Sequence, residues 1–251
     1  MPRLFSTFTI VALLAVLPAC SPPADDVGHR LKTAKTTIIP MPPELTTALS
    51  AYRASGPKGW AFTQTSVGTG KNLIERFDPR VRGPARWTLL RKDGREPTVE
   101  EQTEYRQQSL SKHEAEGGGV RDQIDLSTCA LVARDDRTAS YQFALRPADK
   151  QDTAAAHMRA VFTLDSPTGA IVRVELSNFE HFSPVISLKV EEASTILRYS
   201  LPNTDQPSLL SDISMKLKGR RLWFRSFTQD MSMIYSDQVR AIFPNSEVAA
   251  K

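Results

Sequence analysis

The hydrophobic positions of this chain recur with two different periods. Leu45, Ala48, Leu49 and Tyr52 fall at i, i+3, i+4 and i+7, one stripe of a helix. Pro42 and Pro43 precede the stripe and Gly56 follows it, which predicts a short amphipathic helix starting at Glu44. Beyond it the period drops to 2. Residues 59–67 and 71–78 read as strands around a turn at Gly68-Thr69-Gly70, and residues 85–92 as another, ended by the hairpin-type turn Asp93-Gly94. Tyr141, Phe143 and Leu145 alternate with polar residues, as do Met158, Ala160, Phe162 and Leu164. Ser166-Pro167-Thr168-Gly169 then turns the chain into Val172, Val174 and Leu176. Ile186, Leu188 and Val190 follow, then Leu209, Ser211, Ile213, Met215 and Leu217. Gly219 is expected to turn the chain into Leu222 and Phe224, ahead of Met231, Met233 and Tyr235.

One further helix interrupts this series. Thr98 and Glu101 have capping-box spacing, Pro97 precedes them, and Gly117-Gly118-Gly119 ends the run. Its apolar positions are few (Val99, Tyr105 and Leu110), so it is expected on the surface. The predicted class is mainly β (α+β), an antiparallel sheet of about nine to eleven strands with one apolar face. A sheet of that width curls. Its apolar face must then be covered by a helix, closed into a barrel or filled by a ligand. The expectation is a curled antiparallel half-barrel wrapped around one or two helices, forming a single domain over residues 44–240, with 241–251 as a tail.

The first residues differ from the rest. Arg3 supplies a short positive region, and Phe8 to Leu17 is an apolar or near-apolar stretch of ten residues. A spanning helix needs about 20, whereas ten suits the apolar region of a secretory signal. Residues 1–19 are therefore read as a signal peptide. Ordinary cleavage before Cys20 places the large Leu17 at −3, and cleavage after Ser21 meets the ring of Pro22. Leu17-Pro18-Ala19-Cys20 resembles the bacterial lipobox, with Pro18 departing from the usual small residue at that position. The resemblance implies acylation of Cys20, for example by palmitate, which becomes the new N-terminus. Ser21 rather than aspartate next to it implies sorting to the outer membrane, facing the periplasm. Residues 21–43 hold five prolines and no aromatic residue, and 20–43 are read as a lipidated N-terminus and tether spanning about 25 Å as a coil.

The order of one helix, a long antiparallel sheet and an inserted helix resembles the half-barrel fold of the periplasmic lipoprotein carrier and its outer-membrane receptor. The resemblance covers roughly residues 44–240 and implies a sheet cradling acyl chains. The stretch from Phe77-Asp78-Pro79 through Arg86-Trp87-Thr88-Leu89-Leu90-Arg91-Lys92-Asp93-Gly94-Arg95-Glu96-Pro97-Thr98 resembles uncharacterised exported proteobacterial proteins and implies no activity.

Candidate chemistry is sparse. Of the two cysteines, acylation of Cys20 leaves Cys129 alone among apolar neighbours, a buried structural thiol with no disulfide partner. The four histidines, His29, His113, His157 and His181, show no metal-ligand spacing, and no cofactor is implied. Gly68-Thr69-Gly70-Lys71 lacks the first glycine of a phosphate loop and has Asn72 where a hydroxyl is required. No Gly-x-Ser-x-Gly elbow occurs, and His181 is the first histidine to test for hydrolase chemistry.

The charge pattern is more informative. The formal net charge is +4, too mild to imply nucleic acid. Residues 76–95 nevertheless carry Arg76, Arg80, Arg82, Arg86, Arg91, Lys92 and Arg95 against Asp78 and Asp93. A second basic stretch holds Lys216, Lys218, Arg220, Arg221 and Arg225, and Trp87 and Trp223 lie within the two. Arginine forks and interfacial tryptophans suit anionic lipid head groups, while Glu100, Glu101 and Glu104 stand ready to offset part of the charge. The reading that follows is a non-enzymatic, membrane-anchored lipoprotein binding a lipid or lipid-modified protein in the concave face, its basic turns orienting a head group. The alternatives are a structural or assembly factor with an envelope protein partner and, third, an envelope hydrolase.

Overall fold

The computed structural model describes residues 37–54, 59–68, 70–112, 120–147, 152–222 and 224–242. Eleven strands form one antiparallel sheet: β1 (Trp60–Gly68), β2 (Lys71–Phe77), β3 (Trp87–Lys92), β4 (Ile124–Arg134), β5 (Thr138–Leu145), β6 (Met158–Asp165), β7 (Ile171–Asn178), β8 (Phe182–Val185), β9 (Leu188–Tyr199), β10 (Leu210–Arg221) and β11 (Arg225–Arg240). The order is β3-β2-β1-β11-β10-β9-β7-β6-β5-β4, with β8 branching off β9. The edge strands β3 and β4 do not pair with each other, so the sheet stays open, as the half-barrel expectation requires. Among the described residues, three α-helices accompany it: α1 (Pro43–Ala51), α2 (Val99–Lys112) and the single turn α3 (Val120–Gln123).

Side-chain alternation assembles the main core on one face. Tyr141 and Phe143 of β5, Ala160 and Phe162 of β6, Val174 and Leu176 of β7 and Leu197 of β9 are buried there, and Leu45, Ala48 and Leu49 of α1 close over them. Phe162 is the pivot: Phe143 meets it edge-on with centroids 5.8 Å apart, and Tyr52 does the same at 5.8 Å from the end of α1. Burying each such Leu or Phe contributes about 1.5–3 kcal/mol, which is what holds a nine-residue helix that would not persist alone. A second cluster, Phe182, Leu188, Val190, Ala193 and Leu217, lies where β8, β9 and β10 meet.

Several expectations need correction. The end of the predicted tether belongs to the domain: Ile38 bridges to Ala130, the Ile39 amide donates to the Cys129 carbonyl at 2.9 Å, and Ile39 and Met41 pack on the main core. The edge strand β4 offers unpaired backbone groups, and this segment pairs with it at Cys129 and Ala130. In β7 it is Ile171, not Val172, that turns inward, because a bulge against β6 pairs Thr163 with Arg173 but Leu164 with Ile171. Gly219, within β10, is not a turn; it pairs with Phe227 of β11, and the chain reverses between the paired Arg221 and Arg225. Leu222 and Phe224 are consequently exposed, as is Ile186, which sits in the β8–β9 turn rather than in a strand. The strand at β4 had no clear alternation, and Cys129 on it is buried as expected.

Candidate functional site

Following the register across the sheet shows what the two helices leave uncovered. Phe62, Gln64 and Ser66 of β1 share a face with Leu73, Glu75 and Phe77 of β2 and with Tyr235 and Met233 of β11. The same face continues through Ile213, Met215 and Leu217 of β10 to Leu197, Thr195 and Ala193 of β9, and so to the core side of β7 and β6. α1 covers the β4–β7 part. α2 covers the β2–β3 part, where Gln102 donates to the Leu89 carbonyl at 2.7 Å and Tyr105 donates to Glu75 at 2.7 Å. Between these covers lie Met215, Met231 and Met233, half-buried and belonging to neither buried cluster. Met215 pairs directly with Met231 across the β10–β11 ladder, so two thioethers stand side by side.

The flank of this strip carries an aromatic group and a buried carboxylate. Phe62 stacks on Phe77 at 5.0 Å, and Trp87 and Tyr235 meet Phe62 edge-on at 5.6 and 5.3 Å. Glu75 is 1% exposed, and besides the Tyr105 hydroxyl it accepts Nε2 of Gln64 at 3.2 Å. Burial, then the bond to Glu75, raises the Tyr105 phenol well above its ordinary range. Burial and the Glu75 charge push Tyr235 up to about 12. Sequence reasoning passed over Glu75, although Leu73 and Phe77 on either side of it at period 2 already place its side chain on the apolar face.

The predicted basic residues fall at both ends of the sheet: Arg76, Arg80, Arg82 and Arg86 at one, Lys216, Lys218, Arg220 and Arg221 at the other, with β3 returning Arg91 and Lys92 toward that second end, opposite Ile74 and Leu73. Gly68, at the β1–β2 turn, pairs with Met231, which pairs with Met215; residues 216–221 run on past that turn. Arg76 lies the other way, opposite Thr63, and the 78–86 connection lies beyond it. Arg76 donates to Thr63 Oγ1 at 3.1 Å and to the Asp237 carbonyl at 3.2 Å. Arg80 pairs with Asp78 at 2.6 Å and holds that carboxyl down to about 2, and Arg86 donates to the Val81 carbonyl at 3.0 Å. Lys92 and Arg95 both bind Glu101 at 2.8 Å. Those two cations, Arg95 first, together with the Thr98 amide, hold the Glu101 carboxyl far below the usual range. In β10 Lys216 pairs with Glu192 at 3.0 Å and Arg220 with Glu191 at 2.8 Å. Arg82, Arg91 and Lys218 make no ion pair among the described residues, and Arg221 lies on the β10–β11 hairpin.

The remaining candidates are placed as follows. His181 is exposed and makes no hydrogen bond among the described residues, whereas His157 binds Glu180 at 2.9 Å and stacks on Phe182. Among the described residues no group of three or more His, Cys, Asp or Glu could hold a metal. Gly68 pairs with Lys71 where β1 passes into β2, and a side chain at Gly68 would meet the Asp230 carbonyl at 2.2 Å. Burial raises the Cys129 thiol. Cys20, His29, His113 and Trp223 lie outside the described residues.

No family model and no curated protein matches the chain. Two solved structures are similar over most of its length: "GphF Dehydratase 1", at 14% identity over 79% of this chain and 82% of that one with a TM-score of 0.18, and an isomerase-inactive variant of the same domain, at 14% identity over 83% and 82% with a TM-score of 0.17. At that level the likeness carries no argument about fold or activity. No helix among the described residues is long and apolar enough to cross a membrane.

Proposed function

We propose that this chain is a membrane-anchored lipoprotein of the outer membrane, facing the periplasm, whose curled sheet binds a lipid or the acyl chain of a lipid-modified protein without catalysing a reaction. The observation that carries the reading is the methionine strip: Met215, Met231 and Met233 lie half-buried on the concave face between the parts closed by α1 and α2. Methionine is unbranched and polarisable, so a floor of thioethers adapts to a sliding hydrocarbon chain better than branched residues do. Each buried methylene of such a chain contributes about 0.8 kcal/mol.

Titration of the full chain carrying Cys20→Ala with a pyrene-labelled fatty acid tests it. Saturable binding is expected, weakened about tenfold or more when Met215 and Met231 are both replaced by Asp. Absence of saturable binding, or identical binding by the Asp variant, removes the acyl-chain reading. The anchor is tested separately by labelling cells with radioactive palmitate; equal incorporation into the wild type and Cys20→Ala would remove it.

A further inference from the structure

The end of the sheet formed by the β8–β9 and β10–β11 turns exposes large apolar side chains that nothing in the concave-face reading uses. At the end of β8 Val185 is 56% exposed and in the β8–β9 turn Ile186 is 86% exposed; at the β10–β11 turn Leu222 is 49% and Phe224 is 75% exposed. The two turns are one structural unit: the Leu222 amide donates to the Ser187 carbonyl at 2.7 Å, and Arg221 pairs with Leu188 just behind them. Leu222 holds a left-handed backbone, φ 50°, that only Gly adopts freely.

The charges behind the tips have one sign. The first three register rows of β9, β10 and β11 are Leu188–Arg221–Arg225, Lys189–Arg220–Ser226 and Val190–Gly219–Phe227, four cations and no carboxylate. Alternation puts Arg221 and Arg225 on the concave side and Lys189 and Arg220 on the convex side, so cations back the tips on both faces. Glu191, which the β9–β10 register passes over between Val190 and Glu192, is bound to Arg220 at 2.8 Å.

We propose that the paired tips are a membrane-docking end: Val185, Ile186, Leu222 and Phe224 enter the headgroup–acyl boundary of an anionic bilayer while Lys189, Arg220, Arg221 and Arg225 meet its phosphates. Exposed apolar residues projecting ahead of a collar of cations match the layered chemistry of a bilayer surface, apolar beneath and anionic above, and each cation near it contributes about 1 kcal/mol of attraction. A protein partner would have to supply acids in a ring around an apolar centre, and the test separates it. The inference stands apart from the concave face and from acylation at Cys20, since it uses neither.

The test uses the full chain carrying Cys20→Ala, so that the buried Cys129 is the one native thiol left. An environment-sensitive thiol dye is placed at Ile186→Cys or, on the opposite end of the sheet, at Asp205→Cys. With vesicles of phosphatidylcholine and phosphatidylglycerol, the dye at 186 is expected to shift to the blue and be quenched by nitroxide-bearing lipids, and the dye at 205 to do neither. Pure phosphatidylcholine should give little response at either position. Replacing Arg220 and Arg225 by Glu should weaken the response at 186 by about tenfold or more, and so should Phe224→Asp. Phe224 and Arg225 are exposed, and thermal melting of each variant checks that it folds, the loss of the Arg220–Glu191 pair included. A dye at 186 that stays in water on anionic vesicles, or responds equally on neutral ones, overturns the proposal. So does an unchanged response in the Glu variant.

Discussion

The phenol oxygens of Tyr52, which follows α1, and Tyr199, at the end of β9, lie 2.8 Å apart although 147 residues separate them in the chain. This hydrogen bond fastens the end of the covering helix to the sheet, and Tyr52 also packs edge-on against both Phe162 and Tyr199. Burial, opposed in part by the bond to Tyr199, raises the Tyr52 phenol to about 12, and burial raises Tyr199 further.

A pH dependence follows, and its sign is fixed by the raised values. A phenol in the unfolded chain titrates near about 10, so the folded state holds these protons more tightly. The stabilisation from keeping the phenols neutral is fully present below about pH 10 and is lost as pH rises toward 12. Urea denaturation from pH 8 to 12 should therefore show stability falling across that upper window, with a shallower fall in Tyr52→Phe. A flat profile up to pH 12 in the wild type would contradict the buried placement of these rings.

Tyr105→Phe removes one of the hydrogen bonds to Glu75 while leaving the carboxylate buried. A loss of about 1–3 kcal/mol in denaturant unfolding is expected. Amide exchange of α2 should rise with it, because Tyr105 is the buried anchor of that helix on β2. Unchanged exchange in α2 would mean that Gln102, through its bond to Leu89, carries the docking alone.

Gly219→Ala places a methyl group 2.2 Å from the Lys189 carbonyl and 3.0 Å from the Phe227 ring. Backbone cannot give way cheaply there, and a cost of about 1–3 kcal/mol is expected from overpacking. The melting temperature reads it. Because Gly219 lies in the third register row behind the paired tips, the same variant should also loosen the β8–β9 and β10–β11 turns in hydrogen exchange.

Thr98→Ala tests the capping box at the start of α2. Thr98 Oγ1 accepts the Glu101 amide at 3.3 Å, and Glu101 returns a carboxylate to the Thr98 amide at 2.9 Å. Loss of the cap should cost about 0.5–2 kcal/mol by denaturant unfolding. A cost near zero would show that the two ion pairs on Glu101 hold the helix start without the hydroxyl.

Local physics made a large part of this protein legible in its sequence. Period-2 alternation names the inward residues of β5 and β6, since successive side chains of a strand must point to opposite faces, and the i, i+3, i+4 stripe names the buried side of α1. Thr98 and Glu101 reveal their reciprocal bond because a capping box spans only three residues. Bulges were out of reach: one extra residue in β7 exchanges Val172 for Ile171, and that choice depends on the facing strand. The attachment of Ile38 and Ile39 to β4 was hidden for a similar reason, because an edge strand's need for partners exists only once the sheet has formed. Tertiary structure also decided the functional surfaces. Strand order brings Met215 beside Met231 between two covers, splits the first basic stretch between the two ends of the sheet, and ties the exposed tips at Ile186 and Leu222 into one unit. Each of these relations joins residues on different strands, and pairing across a sheet is set by the global minimum of burial and hydrogen bonding rather than by any local pattern.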